Sequence, residues 1–350
     1  MSVEITKTKP RNLEMLARWF VLGLVIGLPL AVLLARWLEP RLQDGRVVEI
    51  RARMPENGGW NPTDLEATVG ETLHLRLIAD DVMHGFAIGQ SDLPVVDMKP
   101  GEVNEIELTF NRPGKYTFYC TRWCGANHWR MRGTIEVRAA SSQEAQIEPA
   151  EEPQPLFLEL GIDIDSPHQT DILPAERPSA PRGAKLQLEF PPLYLSSFYY
   201  QTRSPAEIWQ ELRASQFTQE LTDIQVWDLV ATLWFSNTNP ERLETGERLY
   251  AENCAACHGE AGAGDGVMAG SLGSRQAGDA HAKPVDGHTL EAPTDFTDAS
   301  HMLGASPALL QGKILRGGMG TGMPYWGPVF TTEQVWALVD YLWTFQFNAE

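Results

Sequence analysis

The sequence predicts a multidomain chain: one N-terminal transmembrane helix, an all-β sandwich, then an all-α C-terminal domain. Three observations predict it. An uncharged run from Trp19 to Ala35 lies between Arg18 and Arg36. Residues 47–138 alternate apolar and polar side chains in short runs broken by Gly and Pro, the period of half-buried strands. From residue 204 onward the apolar positions recur at helical spacing. A length of 350 residues itself suggests two or three domains.

The first element is residues 1–40, a polar tail and an anchor. The uncharged run is at the short end of what spans a bilayer. Trp19 and Trp37 mark its two ends, where aromatic belts form. A signal peptide also sets basic residues before an apolar core, but no small-x-small cleavage site precedes Glu39 and the run is long for a signal. An uncleaved span is therefore expected. Lys7, Lys9, Arg11 and Arg18 favour a cytoplasmic N-terminus, against the weaker pull of Arg36, Arg41 and Arg46. Gly23 and Gly27 would let a second helix approach closely.

Residues 41–140 form the β domain. Val-Val-Glu-Ile-Arg-Ala-Arg, Leu-His-Leu-Arg-Leu-Ile and Val-Asn-Glu-Ile-Glu-Leu-Thr-Phe are its clearest strands; His74 lies on one of them and reads as a surface residue. Its chemistry sits in Cys120-Thr-Arg-Trp-Cys124-Gly-Ala-Asn-His128-Trp-Arg-Met131. Thiolate, thioether and imidazole together suit copper. Zinc prefers a closed Cys/His set without Met, and a disulfide would leave the histidines unexplained. Two cysteines can bridge two copper ions, each of which then needs an imidazole. His128 supplies one, and His84, upstream in Asp-Val-Met-His84-Gly-Phe, the other. Trp129, inside the loop, is either packing or a surface aromatic through which electrons pass.

Residues 141–240 open on an acidic, Pro-rich stretch that reads as a linker through about residue 192, with His168 in it. An internal echo follows. Thr222–Trp234 and Thr331–Trp343 share eight of thirteen residues, and Ser-Pro-Ala recurs at 204–206 and 306–308. The first copy is expected to be a degenerate unit that lacks Cys and His and packs without a cofactor.

Residues 241–350 show what the unit is. A helical lead ends in Cys254-Ala-Ala-Cys257-His258, the c-type haem attachment signature, in which the thiols join the haem and His258 becomes the iron ligand. A thioredoxin-like redox pair would need a βαβ setting that is missing here. The four cysteines are thereby all used, with none left for a structural disulfide.

Charge is unevenly placed. Residues 1–140 are neutral, and the whole net charge of −18 falls as −10 on 141–240 and −8 on 241–350. Such a surface repels nucleic acid and anionic lipid and attracts a basic protein, or it serves solubility alone. No acid–base or nucleophilic constellation stands out.

These motifs resemble two families. Residues 47–137, with Val-Met-His84-Gly-Phe, the Lys-Pro-Gly-Glu and Arg-Pro-Gly-Lys-Tyr turns and the C-x3-C-x3-H-x2-M loop, resemble the dinuclear CuA domain of cytochrome c oxidase subunit II. Residues 241–350 resemble a small class I cytochrome c. The resemblance implies a cupredoxin-like sandwich with the copper loop between its last two strands. It implies one copper held by His84 and Met131 and the other by His128 and the backbone carbonyl of Arg122, with Cys120 and Cys124 shared. Mitochondrial-type oxidases usually carry Glu at the Arg122 position, serving a magnesium site, so no such site is expected. In the cytochrome, one covalent haem c on Cys254, Cys257 and His258 takes Met323, of Gly-Met-Pro, as its distal ligand. Met319 is the competing candidate, and His281, His288 and His301 lie in polar loops.

The chain would then be the electron-input subunit of a membrane haem-copper oxidase of the single-anchor type, with no substrate-reducing site of its own. It would sit in a bacterial cytoplasmic membrane with both redox domains on the extracytoplasmic side. Its partners would be the catalytic subunit I, which reduces oxygen, and a redox donor such as a basic cytochrome c. A CuA-bearing subunit of a nitric oxide reductase, or a tethered copper-binding assembly protein, are the alternatives.

Overall fold

Two facing sheets form residues 46–138, as the alternation requires. The computed structural model describes residues 11–30, 46–91, 93–125, 127–140, 154–270, 292–318 and 322–349. One sheet has the order β2-β1-β4-β7, built from β1 (Arg46–Ala52), β2 (Trp60–Asn61), β4 (Thr72–Ala79) and β7 (Val103–Thr109). The other runs β3-β9-β8-β5-β6, from β3 (Asp64–Thr68), β5 (His84–Ile88), β6 (Val96–Met98), β8 (Gly114–Cys120) and β9 (Arg132–Arg138). β1 lies parallel to β4, and β3 to β9; the other pairs are antiparallel. Along β4, Leu73, Leu75, Leu77 and Ala79 are buried while the residues between them are half-covered. Those leucines meet Ile50, Trp60, Phe86, Phe118 and Ile135 in one core. β5 breaks the alternation. Every residue from His84 to Ile88 is buried, so both faces of that strand are covered.

The helical part is one packed body from residue 154 to the end of the described chain. Its core joins residues of 164–234 to residues of 249–347. The echo is real in three dimensions. α5 (Pro205–Ala214) and α6 (Asp223–Phe235) have counterparts in α10 (Pro307–Arg316) and α11 (Thr332–Leu342). Ser204 and Ser306 cap the first helix of each pair, and Thr222 and Thr331 form capping boxes with Gln225 and Gln334 on the second. The equivalent Trp234 and Trp343 meet edge to face at 5.3 Å, so the copies pack on each other.

The segment expected to be a linker differs from that expectation. Residues 141–153 lie outside the described residues, but from 154 onward the chain is laid onto the helical core. It carries the short helices α2 (Leu156–Glu159), α3 (Ala180–Ala184) and α4 (Ser197–Thr202). Ile164 is buried in that core, and Phe157, Ile172, Leu186 and Phe190 are partly buried against it. Asp228 of α6 anchors the stretch: Ser179 N–H donates to Oδ1 at 2.7 Å and Arg182 grips both oxygens at 2.8 Å. Apolar residues spread through a Pro-rich chain show no period, which is why the sequence reads as a linker.

α7 (Pro240–Asn253) crosses α11 closely at Gly246, where a Cβ would stand 2.1 Å from the Ala337 carbonyl. α8 (Ala255–His258) and α9 (Ala299–Met302) complete the helices.

At the N-terminus, α1 (Arg11–Leu22) continues through a π-helical turn at Gly23–Gly27 to residue 30. Trp19, Phe20, Val21, Val25 and Ile26 along it are exposed. Among the described residues no helix is long and apolar enough to cross a membrane, which corrects the expected transmembrane helix for that part of the chain. The described helix starts with Arg11, Glu14 and Arg18, which dilute the apolar stretch. Residues 31–35 of the uncharged run, and Trp37 beyond it, lie outside the described residues.

Candidate functional site

The strand pair β8–β9 ends in the Cys120–Met131 loop, and β5 brings His84 beside it. Cys120 pairs in register with Phe86, and its N–H donates to the Met131 carbonyl at 3.0 Å, closing the loop on itself. All the predicted copper donors converge here. Cys120 Sγ lies 3.9 Å from Cys124 Sγ, 3.7 Å from His84 Nδ1 and 3.3 Å from the Arg122 carbonyl oxygen. Cys124 Sγ lies 3.4 Å from His128 Nδ1 and 3.7 Å from Met131 Sδ. Each sulfur thus has one imidazole and one weak donor beside it. His84, Cys120, Cys124 and Met131 are buried and His128 is half-buried. The Arg122 side chain turns away to Asp97, at 2.7 and 3.2 Å.

The set fits a metal better than a disulfide. The sulfurs stand at 3.9 Å, about twice the ~2.05 Å of an S–S bond. A metal–thiolate bond of about 2.3 Å lets an ion on either side of that line reach both sulfurs. A thioether among the donors selects copper over zinc. The ring nitrogens are also set for it. The Asp81 carboxylate accepts from His84 Nε2–H at 2.8 Å, which leaves the Nδ1 lone pair toward Cys120. Asp81 itself is held by the N–H groups of Met54 and Val82, both at 2.7 Å. Trp60 Nε1–H donates to the Met131 carbonyl at 3.0 Å. Trp123, 45% exposed, lies 5.7 Å from the His128 ring.

Electrostatics in this pocket favour one thiolate. The Cys124 S–H bond, with help from His128 and His84, outweighs burial and draws the Cys120 thiol well below its ordinary range. Cys124 then keeps its proton, because it donates to that thiolate, is itself buried and faces its negative charge. Burial lowers His84, but its bonds to Cys120 and Asp81 win and raise it above the ordinary imidazole. A cation brought in here replaces these protons.

The second set lies on α7, α8 and the following loop. Cys254 and Cys257 are free thiols one helical turn apart; burial pushes Cys254 up to about 12 and raises Cys257. His258 Nδ1–H donates to the Thr294 carbonyl at 3.0 Å, leaving Nε2 as the free donor for iron. The ring stacks on Phe296 at 4.6 Å, and burial keeps it neutral by lowering its pKa. Tyr250 O–H donates to the Gly259 carbonyl at 2.7 Å and pins the turn after the motif. Met323 is half-buried and packs against the same core. Two tethering thiols, an oriented imidazole and a thioether in an apolar setting fit a covalent haem. Met319, His281 and His288 lie outside the described residues. His301 is engaged elsewhere, 2.8 Å from Gln169 Nε2.

Sequence reasoning did not single out Asp81 or Trp60. Asp81 had a faint signal, an acid three residues before His84. Trp60 had none, since its link to Met131 spans 71 residues.

Comparison with known proteins finds two families along the chain. Residues 63–138 match the family model for the periplasmic domain of cytochrome c oxidase subunit II, and residues 243–346 match that for cytochrome c. The chain is 36% identical over 80 residues to a cytochrome c oxidase subunit 2 of Thermus thermophilus, covering 23% of this chain and 58% of that protein. It is 31% identical over 110 residues to an alternative cytochrome c oxidase subunit 2 of Bradyrhizobium diazoefficiens, covering 31% of this chain and 35% of that one. Among solved structures, a chain of a heme-copper terminal oxidase dimer aligns with 24% identity and a TM-score of 0.24, over 37% of this chain and all of that one. The chain thus spans little more than half the length of the first of these relatives, and about a third of the second.

Proposed function

We propose that this chain, which joins a cytochrome c oxidase subunit II periplasmic domain at 63–138 to a cytochrome c domain at 243–346, is the electron-transfer subunit of a haem-copper terminal oxidase. The observation that carries the reading is two separate metal-type donor sets on docked parts of one chain. Cys120 and Cys124 would bridge two copper ions, with His84 and Met131 completing one and His128 and the Arg122 carbonyl the other. Cys254, Cys257, His258 and Met323 would hold one haem c. Bound there, copper and haem iron each supply one-electron redox chemistry. The protein's own part is to hold donors rigid and dry. Burial of Cys120, Cys124 and Met131 excludes water, and Asp81 and the Thr294 carbonyl fix the imidazoles.

Electrons would run from a donor protein to the haem, then to copper, then to a separate subunit I that reduces oxygen. The acidic second half would draw a basic donor, at a rate that falls as salt screens the attraction. The chain would be associated with a bacterial membrane through its oxidase partner, with both centres on the extracytoplasmic side. Metal analysis of the purified full chain tests the centre directly. Two coppers and one haem per chain are expected, and Cys120→Ser should abolish the mixed-valence spectrum instead of weakening it. One copper per parent chain would refute the dinuclear reading.

A further inference from the structure

Side chains alternate along a strand, so the neighbours of the copper donors on β8 and β9 face the other way. Cys120 points into the sandwich and Tyr119 points out. Tyr119 stands opposite Arg132, the residue after Met131. Both outward residues meet the helical body. Tyr119 packs against its core. Arg132 Nη1 donates to the Tyr325 carbonyl at 2.6 Å, and its guanidinium lies 5.0 Å from the Trp326 ring. Tyr325 is two residues beyond Met323.

The contact is built on all sides. Gln90 N–H donates to the Val329 carbonyl and Gln90 Nε2 to the Gly327 carbonyl, both at 2.9 Å. Gly89 approaches so closely that a Cβ would stand 2.3 Å from the Pro328 carbonyl. Ala87, opposite Tyr119, is buried in the same face. The chain segment that follows Met323 therefore closes on the strand pair that carries Cys120 and Met131.

Arg132 is a costly residue for a mere filler. It is half-buried, and its buried Nη2 has no hydrogen-bond partner among the described residues. A Met or Leu would fill the space without an unpaired donor. Its planar guanidinium instead does two things at once: it bonds a carbonyl and lies over an indole.

We propose that Arg132 is the coupling residue between the two centres. Its hydrogen bond to Tyr325 joins the Met131 side to the Met323 side, and electrons cross at this bond. The inference rests on the function proposed above. The transfer moves one electron: the haem is oxidised, the copper pair is reduced, and no bond or proton changes place.

The test uses the full chain carrying copper and haem, with Arg132→Met and Arg132→Lys. Three quantities are read: the rate of haem-to-copper electron transfer after light-triggered reduction of the haem, the spectrum and potential of each centre, and hydrogen exchange at the Gln90 amide. In Arg132→Met the fast transfer phase should be lost while both potentials and the Gln90 protection persist, because Gln90 keeps its own two bonds. Arg132→Lys should recover part of the rate. A parent that transfers, beside an Arg132→Met variant that transfers as fast, overturns the bridge alone. Transfer that slows only in step with lost Gln90 protection also overturns it, since Arg132 would then be only a clamp. A parent whose haem never reduces its copper overturns the proposed function, and the bridge with it.

Discussion

The carboxylate of Asp340 on α11 ties that helix to α4 and to the start of α7, and its charge can be tested by pH. Tyr200 O–H donates to its Oδ1 at 2.7 Å, and Arg242 Nη2 lies 2.7 Å from Oδ2 as an ion pair. Three segments meet here: α4, the start of α7 and α11. The Asp340 side chain is 1% exposed and that of Arg242 39%. Burial raises the Asp340 pKa above its ordinary 3.8, against the lowering effects of the Tyr200 bond and the Arg242 charge. A raised carboxyl pKa means that the folded state holds its proton longer than the unfolded one. The resulting destabilisation is zero below about pH 3.8, grows as pH rises through the folded pKa, and is complete above it. Arg242→Met removes the compensating cation and moves that pKa higher still. Losing one partner of a fully buried pair costs about 3–5 kcal/mol and of a surface pair at most about 1 kcal/mol; half-exposed Arg242 should fall near 2 kcal/mol at neutral pH. Asp340→Asn keeps an acceptor for Tyr200 without the charge and should cost less than about 1 kcal/mol. Urea unfolding of the full chain, followed by tryptophan fluorescence at about pH 7 and again near pH 4, reads both variants. The Arg242→Met deficit should shrink toward zero at the acid end. If it is the same at both pH values, or no larger than that of Asp340→Asn, the carboxylate is not the charged tie described here.

Three further outcomes follow from the sites. Asp81→Asn should loosen the orientation of His84 and weaken copper binding about 10–100-fold in a competition titration; unchanged affinity would show that the carboxylate does not position the ring. Met131→Leu should keep both coppers in metal analysis but shift the centre's potential, because a weak thioether tunes the metal more than it holds it; loss of an ion contradicts this. Gly89→Ala forces a methyl against the Pro328 carbonyl and should open the junction by about 1–3 kcal/mol, seen as faster hydrogen exchange at Gln90 with the copper spectrum unchanged.

The clustering of the candidate donors was legible in the sequence because it is local. Cys120, Cys124, His128 and Met131 occupy one loop between paired strands, and Cys254, Cys257 and His258 one helical turn, so spacing along the chain already places the donors. The period-two runs announced the sandwich, and the echo of Thr222–Trp234 in Thr331–Trp343 announced two like helices, since alternation and helical spacing act within a few residues. Tertiary structure alone decided the rest. His84 reaches Cys120 across 36 residues, and Asp81 and Trp60 steady the loop from other strands. Residues 154–192 are held to the helical core by scattered apolar side chains and by the buried Asp228, with no periodic pattern to betray them. Arg132 finds Tyr325 across 193 residues, and β5 is buried along its whole length. Local geometry follows from bond lengths and the backbone's hydrogen-bonding rules, which each short stretch carries within itself. A docked face exists only where two surfaces, each unremarkable in its own segment, exclude water together.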